Sequence, residues 1–145
     1  MKKLLVISLI YLLLASCSKN DVNNNNPYLP NYSFDTGDLI NTVLPRYNEL
    51  TLTGGKLTLD NYGINGIVVY FSGVDYFAFE LSDPNHTLQT CSKLNVNGII
   101  ASCSCDDGNA YDILNGLPQE GTTGQYTLKP YFVEVNGSII RVYNN

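Results

Sequence analysis

Turn chemistry constrains this chain more than any other feature. In its second half the pairs Asn97-Gly98, Asn115-Gly116 and Asn136-Gly137 each follow a short run of strand-forming residues. Asn-Gly supplies the positive-φ residues that a two-residue hairpin needs. Residues 93–96 and 99–101 therefore predict one type I′ hairpin, and 131–135 with 139–142 predict another. Tyr111-Asp112-Ile113-Leu114 runs into the remaining turn. Upstream, Lys56-Leu57-Thr58-Leu59 alternates as a strand does, and Ile67-Val68-Val69-Tyr70-Phe71 has the β-branched and aromatic make-up of a central strand. Gly73-Val74-Asp75 turns the chain into Tyr76-Phe77-Ala78-Phe79-Glu80-Leu81, where Phe77, Phe79 and Leu81 share one face and are predicted to be core. Residues 38–41 predict a short first strand, and Pro45 bars a regular strand centre in 44–48. No dozen-residue stretch repeats apolar positions every 3.6 residues, so almost no helix is expected. Many short strands at regular spacing predict an all-β fold, a small antiparallel sandwich or barrel.

The N-terminus reads as targeting sequence. Met1-Lys2-Lys3 is basic, and residues 4–14 are apolar apart from Ser8 and Tyr11, too short a run to span a bilayer as a stable helix. Leu14-Ala15-Ser16-Cys17 resembles the lipobox of bacterial lipoproteins, in which cleavage precedes the cysteine and that cysteine carries lipid. An ordinary secretory cut after Ser16 is the alternative. The expected organisation is a signal peptide at 1–16, a lipidated Cys17, a flexible tether over 17–31 and a β domain over 32–145. The tether is predicted from Asn23-Asn24-Asn25-Asn26, Pro27 and Pro30, which offer little apolar surface to offset chain entropy. The expected location is the bacterial cell envelope, anchored by lipid in the outer membrane. Each acyl chain adds about 0.8 kcal/mol per buried CH₂.

After cleavage the chain keeps six basic and thirteen acidic residues, a formal charge of −7. That excludes nucleic acid as a partner, which needs a basic stripe. It also excludes electrostatic docking on anionic lipid, so the membrane contact rests on the lipid alone. An envelope protein is the remaining macromolecular partner.

The chemistry-bearing residues concentrate between Asp83-Pro84-Asn85-His86 and Cys103-Ser104-Cys105-Asp106. This stretch holds the only histidine and three of the four cysteines, and Asn97-Gly98 lies between its ends. The hairpin should bring two loops carrying His and Cys together. Export would place the thiols in an oxidising compartment. With Cys17 lipidated, one cysteine pair leaves a third thiol over.

The pattern resembles a Rieske iron–sulfur domain. Rieske sequences carry Cys-x-His, about sixteen residues, then Cys-x-x-His, with two Cys on one iron and two His on the other. Here His86 is followed by sixteen residues and then Cys103-Ser104-Cys105-Asp106. The flanks follow the same order. Tyr76-Phe77-Ala78-Phe79 resembles the strand feeding the first box, and Val96-Asn97-Gly98-Ile99-Ile100 the hairpin between boxes. Tyr111-Asp112-Ile113-Leu114-Asn115-Gly116 resembles the element after the second box, and Leu128-Lys129-Pro130-Tyr131 through Arg141-Val142 the closing hairpin. The resemblance covers about residues 50–142.

The resemblance implies a ligand position at Cys103 and a structural disulfide between Cys91 and Cys105, with Cys91–Cys103 as the competing pairing. Closing a loop of that length would contribute about 3 kcal/mol. It also implies a degenerate metal site. Asp83 stands where the first Cys ligand belongs, with one extra residue before His86, and Asp106 stands at the second His position. The set becomes Asp83, His86, Cys103 and Asp106, with hard carboxylates replacing a thiolate and an imidazole. Gly121-Thr122-Thr123-Gly124 replaces a Gly-Pro-rich covering loop.

Plainer readings exist for the same residues. His86 can hydrogen-bond its own loop, Asp106-Asp107-Gly108 is turn chemistry, and Gly54-Gly55 is a turn without phosphate-cradling spacing. A Cys103/His86 nucleophile pair would leave a catalytic thiol open to oxidation in an exported protein. The expectation is a protein that is not an enzyme and holds no cofactor, acting as an interaction or structural module. The alternative is a [2Fe–2S] or other metal-binding electron-transfer protein with altered ligands. A third reading is an accessory subunit packed on a redox enzyme.

Overall fold

The computed structural model describes residues 26–145. The signal peptide, the lipobox with Cys17, and tether residues 18–25 lie outside the described residues. Ten strands follow in order: β1 (Phe34–Asp35), β2 (Ile40–Asn41), β3 (Lys56–Leu59), β4 (Ile67–Phe71), β5 (Tyr76–Glu80), β6 (Leu94–Asn97), β7 (Ile100–Cys103), β8 (Ala110–Asp112), β9 (Phe132–Asn136) and β10 (Ile139–Asn144). The fold is all-β, as the turn pattern predicts. Among the described residues the only helical elements are 3-10 turns at Asn48–Thr51 and Thr90–Ser92.

The strands form three antiparallel sheets: β3-β4-β5, β6-β7-β8, and β10 flanked by β9 on one side and by β1 and β2 on the other. Strand β4 explains how they stack. Ile67 and Val69 join Ala78, Ile140, Val142 and Tyr131 in one core. Val68 and Tyr70 join Phe79, Leu81, Leu94, Ala101, Tyr111 and Leu128 in a second. The β3-β4-β5 sheet is thus the middle layer, covered on both faces. An unbroken apolar run is what a doubly buried strand requires. Tyr47 and Leu50, in the stretch where Pro45 rules out a strand, add to the first core.

Two expectations need correction. Phe77 shares its face with Phe79 and pairs with Tyr70, but it is 38% exposed. The opposite face of β5 also buries Glu80, whose carboxylate accepts from Tyr131 Oη at 2.6 Å, Ile64 N at 2.8 Å, Asn65 N at 2.9 Å and Ser82 Oγ at 2.8 Å. The hairpin turns also fall one residue later than type I′ geometry implies. Asn97 pairs with Ile100 and Asn136 with Ile139, so the central residues are Gly98-Ile99 and Gly137-Ser138. Gly98 and Gly137 have φ of +60° and +59°, while no non-glycine residue has positive φ. Glycine alone in the first central position is the II′ pattern. That register sets Cys103 opposite Leu94.

Residues 26–31, assigned to the tether by composition, lie against the domain. Leu29 is buried, Tyr28 meets Tyr126 edge-on, and Asn26 Nδ2 donates to Pro84 O at 2.8 Å. Two apolar side chains in a polar segment suffice to dock it.

Candidate functional site

Two loops meet at one end of the β6-β7-β8 sheet. The first, residues 81–93, leaves β5 and is pinched shut by Asp83 N donating to Ser92 O at 2.9 Å. The second, residues 104–109, joins β7 to β8. A disulfide between Cys91 and Cys105 ties them, with Cα atoms 5.0 Å apart. Cys103, at the end of β7, is the free cysteine among the described residues.

Asp83 is fully buried at the centre of a network. Its Oδ1 accepts from Tyr111 Oη at 2.7 Å and from Asn85 N at 2.8 Å, the latter an Asx turn that shapes the loop. Its Oδ2 accepts from Asn109 Nδ2 at 3.0 Å. Burial, ahead of the neighbouring Asp83 carboxylate, pushes the Tyr111 hydroxyl well above the usual tyrosine range and keeps it a donor.

The segment 121–126 roofs this network. Asn85 Nδ2 donates to Tyr126 O and Tyr111 Oη, and Tyr126 N donates back to Asn85 Oδ1. Thr123 N and Oγ1 both donate to Asn109 Oδ1. Gly124, at φ +95°, lies so close that a Cβ there would sit 2.2 Å from Asn85 Oδ1. The Gly121-Thr122-Thr123-Gly124 stretch therefore covers the site by backbone approach.

His86 points into the gap between the loops. Its Nδ1 lies 2.9 Å from Thr87 O, which fixes the proton on that nitrogen, since a carbonyl accepts. Its Nε2 faces Asp107 Oδ2 at 3.1 Å, Cys103 Sγ at 3.4 Å and Asp83 Oδ2 at 3.5 Å. Cys103 Sγ accepts from Cys105 N at 3.4 Å. Burial, aided by Asp83 and Asp107 and opposed by that N–H, pushes its thiol up to about 12. The thiol is thus a protonated, poor nucleophile, opposite to an activated cysteine.

The structure brings Asp83, His86 and Cys103 together and leaves Asp106 outside. Asp106 is exposed on the rim of the open depression in front of His86, and its neighbour Asp107 supplies the carboxylate at the ring. A tight turn of two aspartates before Gly108 turns only one of them inward, and the loop conformation selects Asp107. Asn85, Asn109, Tyr111 and Thr123 complete the site. Their only sequence signal is their place beside the two boxes, since Asn, Thr and Tyr are ordinary loop and strand residues.

No family model matches the sequence, and no curated protein matches it. The solved structures that are similar include the following two. One is titled complex of reduced oxygenase and oxidized ferredoxin in carbazole 1,9a-dioxygenase, with TM-score 0.41 and 22% identity over 63% of this chain and 82% of that one. The other is the ferredoxin of carbazole 1,9a-dioxygenase from Nocardioides aromaticivorans IC177, with TM-score 0.40 and 15% identity over 65% of this chain and 88% of that one. Within this chain, the feeding strand, first loop, hairpin and second loop follow one another in an order that resembles a Rieske domain.

The residues present do not fit a Rieske cluster. Such a centre needs two thiolates on one iron and two imidazoles on the other. Among the described residues Cys103 is the one free thiol and His86 the one imidazole. Asp83 is already engaged by Tyr111, Asn85 and Asn109.

Proposed function

We propose that this chain is a lipid-anchored protein of the bacterial envelope whose Rieske-like domain acts as a non-catalytic interaction or structural module. One observation carries the reading: Asp83 occupies the first ligand position as a buried brace, its carboxylate bonded to two loops at once. A side chain committed to holding the loops is unavailable to hold iron. The lipobox-like Leu14-Ala15-Ser16-Cys17 supports the anchor, and the net negative charge supports a protein rather than a nucleic-acid partner.

The second reading is metal-binding or electron transfer with altered ligands. The convergence of His86, Cys103 and Asp107 favours it. Protein purified from its native host distinguishes the two. A colourless preparation without iron and acid-labile sulfide supports the module. A brown one with both in stoichiometric amount selects electron transfer. The anchor is tested separately by Cys17→Ser, which should release the protein from membranes. Retention of the variant after a high-salt wash would remove the anchor from the proposal.

A further inference from the structure

We propose that the gap between the two loops is a mononuclear zinc site, ligated by His86 Nε2, Cys103 Sγ and Asp107 Oδ2, with the fourth position of the tetrahedron open to the depression. Cys105, although near these atoms, is excluded because its sulfur is in the disulfide. The site differs from a two-iron cluster in holding a single ion, and it uses Asp107, which has no place in the Rieske pattern.

The histidine supplies the first argument. Its Nδ1 proton is committed to Thr87 O, so Nε2 carries a lone pair in the neutral ring. That lone pair faces Asp107 Oδ2 at 3.1 Å and Cys103 Sγ at 3.4 Å. A cation at their centre serves both of them and takes the nitrogen's lone pair as well.

Distances supply the second argument. Zinc bonds of about 2.0–2.1 Å to nitrogen, 2.0–2.2 Å to oxygen and 2.3 Å to sulfur, set at tetrahedral angles, put N and O roughly 3.3 Å apart and N and S roughly 3.6 Å apart. The observed separations from Nε2 are 3.1 Å to Asp107 Oδ2 and 3.4 Å to Cys103 Sγ.

The surroundings have the form of a metal's outer shell. The ligating ring donates its other N–H to a backbone carbonyl, and Asn109 Nδ2 lies 3.0 Å from Asp83 Oδ2 and 3.4 Å from Asp107 Oδ2. One imidazole, one thiolate and one carboxylate are too soft a set for calcium or magnesium, whereas zinc accepts all three donor types. The His86 and Asp107 side chains are 21% and 23% exposed, so an ion can enter from the depression. On binding, the S–Zn bond replaces the Cys103 S–H bond and the proton leaves to solvent.

The test uses the full chain, stripped with chelator and titrated with zinc alone. Calorimetry should show one zinc per chain, with proton release that varies with buffer ionisation enthalpy. Cobalt in place of zinc should give tetrahedral visible bands and a thiolate-to-cobalt charge-transfer band. Cys103→Ser should abolish the sulfur band, and Asp107→Asn should weaken binding at least tenfold. Asn109→Ala, which removes the amide facing Asp107 Oδ2, should cost about 10–100-fold in affinity. Asp106→Asn should bind as the parent does. Asp107 lies in a part-exposed loop, so its variant tests the site without unfolding the domain. Zinc uptake no greater than that of Cys103→Ser, cobalt binding without a sulfur band, or equal losses in Asp106→Asn and Asp107→Asn would overturn the proposal. These outcomes are independent of whether host-purified protein holds an iron–sulfur cluster, which decides the module reading by itself.

Discussion

The Tyr111 hydroxyl reaches from β8 to Asp83 Oδ1 at 2.7 Å and locks a fully buried carboxylate in the first loop to the strand that follows the second. A buried charge persists only when it is hydrogen-bonded, and here Asn85 N and Asn109 Nδ2 supply the remaining bonds. Tyr111→Phe removes one of those donors while keeping the ring that packs against Leu94 and Leu128 in the second core. Hydrogen bonds to charged groups contribute about 1.5–3 kcal/mol, and the loss should be of that size. Denaturant unfolding should show a lower midpoint at unchanged m. A change under about 0.5 kcal/mol would show that water replaces the phenol and that the brace is weaker than its geometry.

Asn85 latches the roof. Its amide makes three bonds, to Tyr126 N, Tyr126 O and Tyr111 Oη. Asn85→Ala should cost about 2 kcal/mol and, more tellingly, should speed amide hydrogen exchange at Tyr126 while leaving the amides of β4 protected. Uniform acceleration throughout the domain would mean that the segment 121–126 does not open separately.

The Cys91–Cys105 crosslink closes a loop with a sequence separation of 14. Cys91→Ala and Cys105→Ala should each lower stability by about 3 kcal/mol, and the double variant should cost little more, because either change removes the same bond. Additive losses would sink this account.

Two shifted groups contribute to the pH dependence at its opposite ends. Burial holds the Cys103 thiol near 12, above its ordinary 9. An unfolded chain loses that proton first, so the contribution to stability is complete below pH 9 and is lost as pH rises from about 9 to about 12. Cys103→Ala should flatten this part of the stability curve. At pH 8 in metal-free protein, alkylation of Cys103 should run about tenfold or more slower than in the denatured chain. At the acid end, the Arg141 guanidinium holds Asp35 at about 2, below its ordinary 3.8. This contribution is present above pH 3.8 and fades as pH falls through about 2. Both groups are exposed, so salt should weaken the effect. Arg141→Gln should return the Asp35 titration, followed by NMR, toward its ordinary range.

A wide part of this fold is legible in one dimension. Strand β3, the β4 run, β5 and both Gly-centred hairpins follow from two-residue periodicity, β-branched composition and glycine, which act over a few neighbouring residues. The gathering of His86 and Cys103 also follows, because a hairpin must return the chain to where it began. The sequence by itself also determines that one imidazole and few thiols are present, which limits what a site here can hold.

The tertiary structure alone decides the rest. It turns Asp107 rather than Asp106 toward the ring, because that choice depends on loop dihedrals that adjacent aspartates share equally in sequence. It leaves Phe77 part exposed while burying Phe79, because coverage of a strand face depends on which distant segments pack along it. It makes Asp83 a brace, because that role exists only once Tyr111 and Asn109, 28 and 26 residues away, are folded against it. Burial and charge pairing arise from long-range contacts, and these exist only once the folded chain has brought distant segments together.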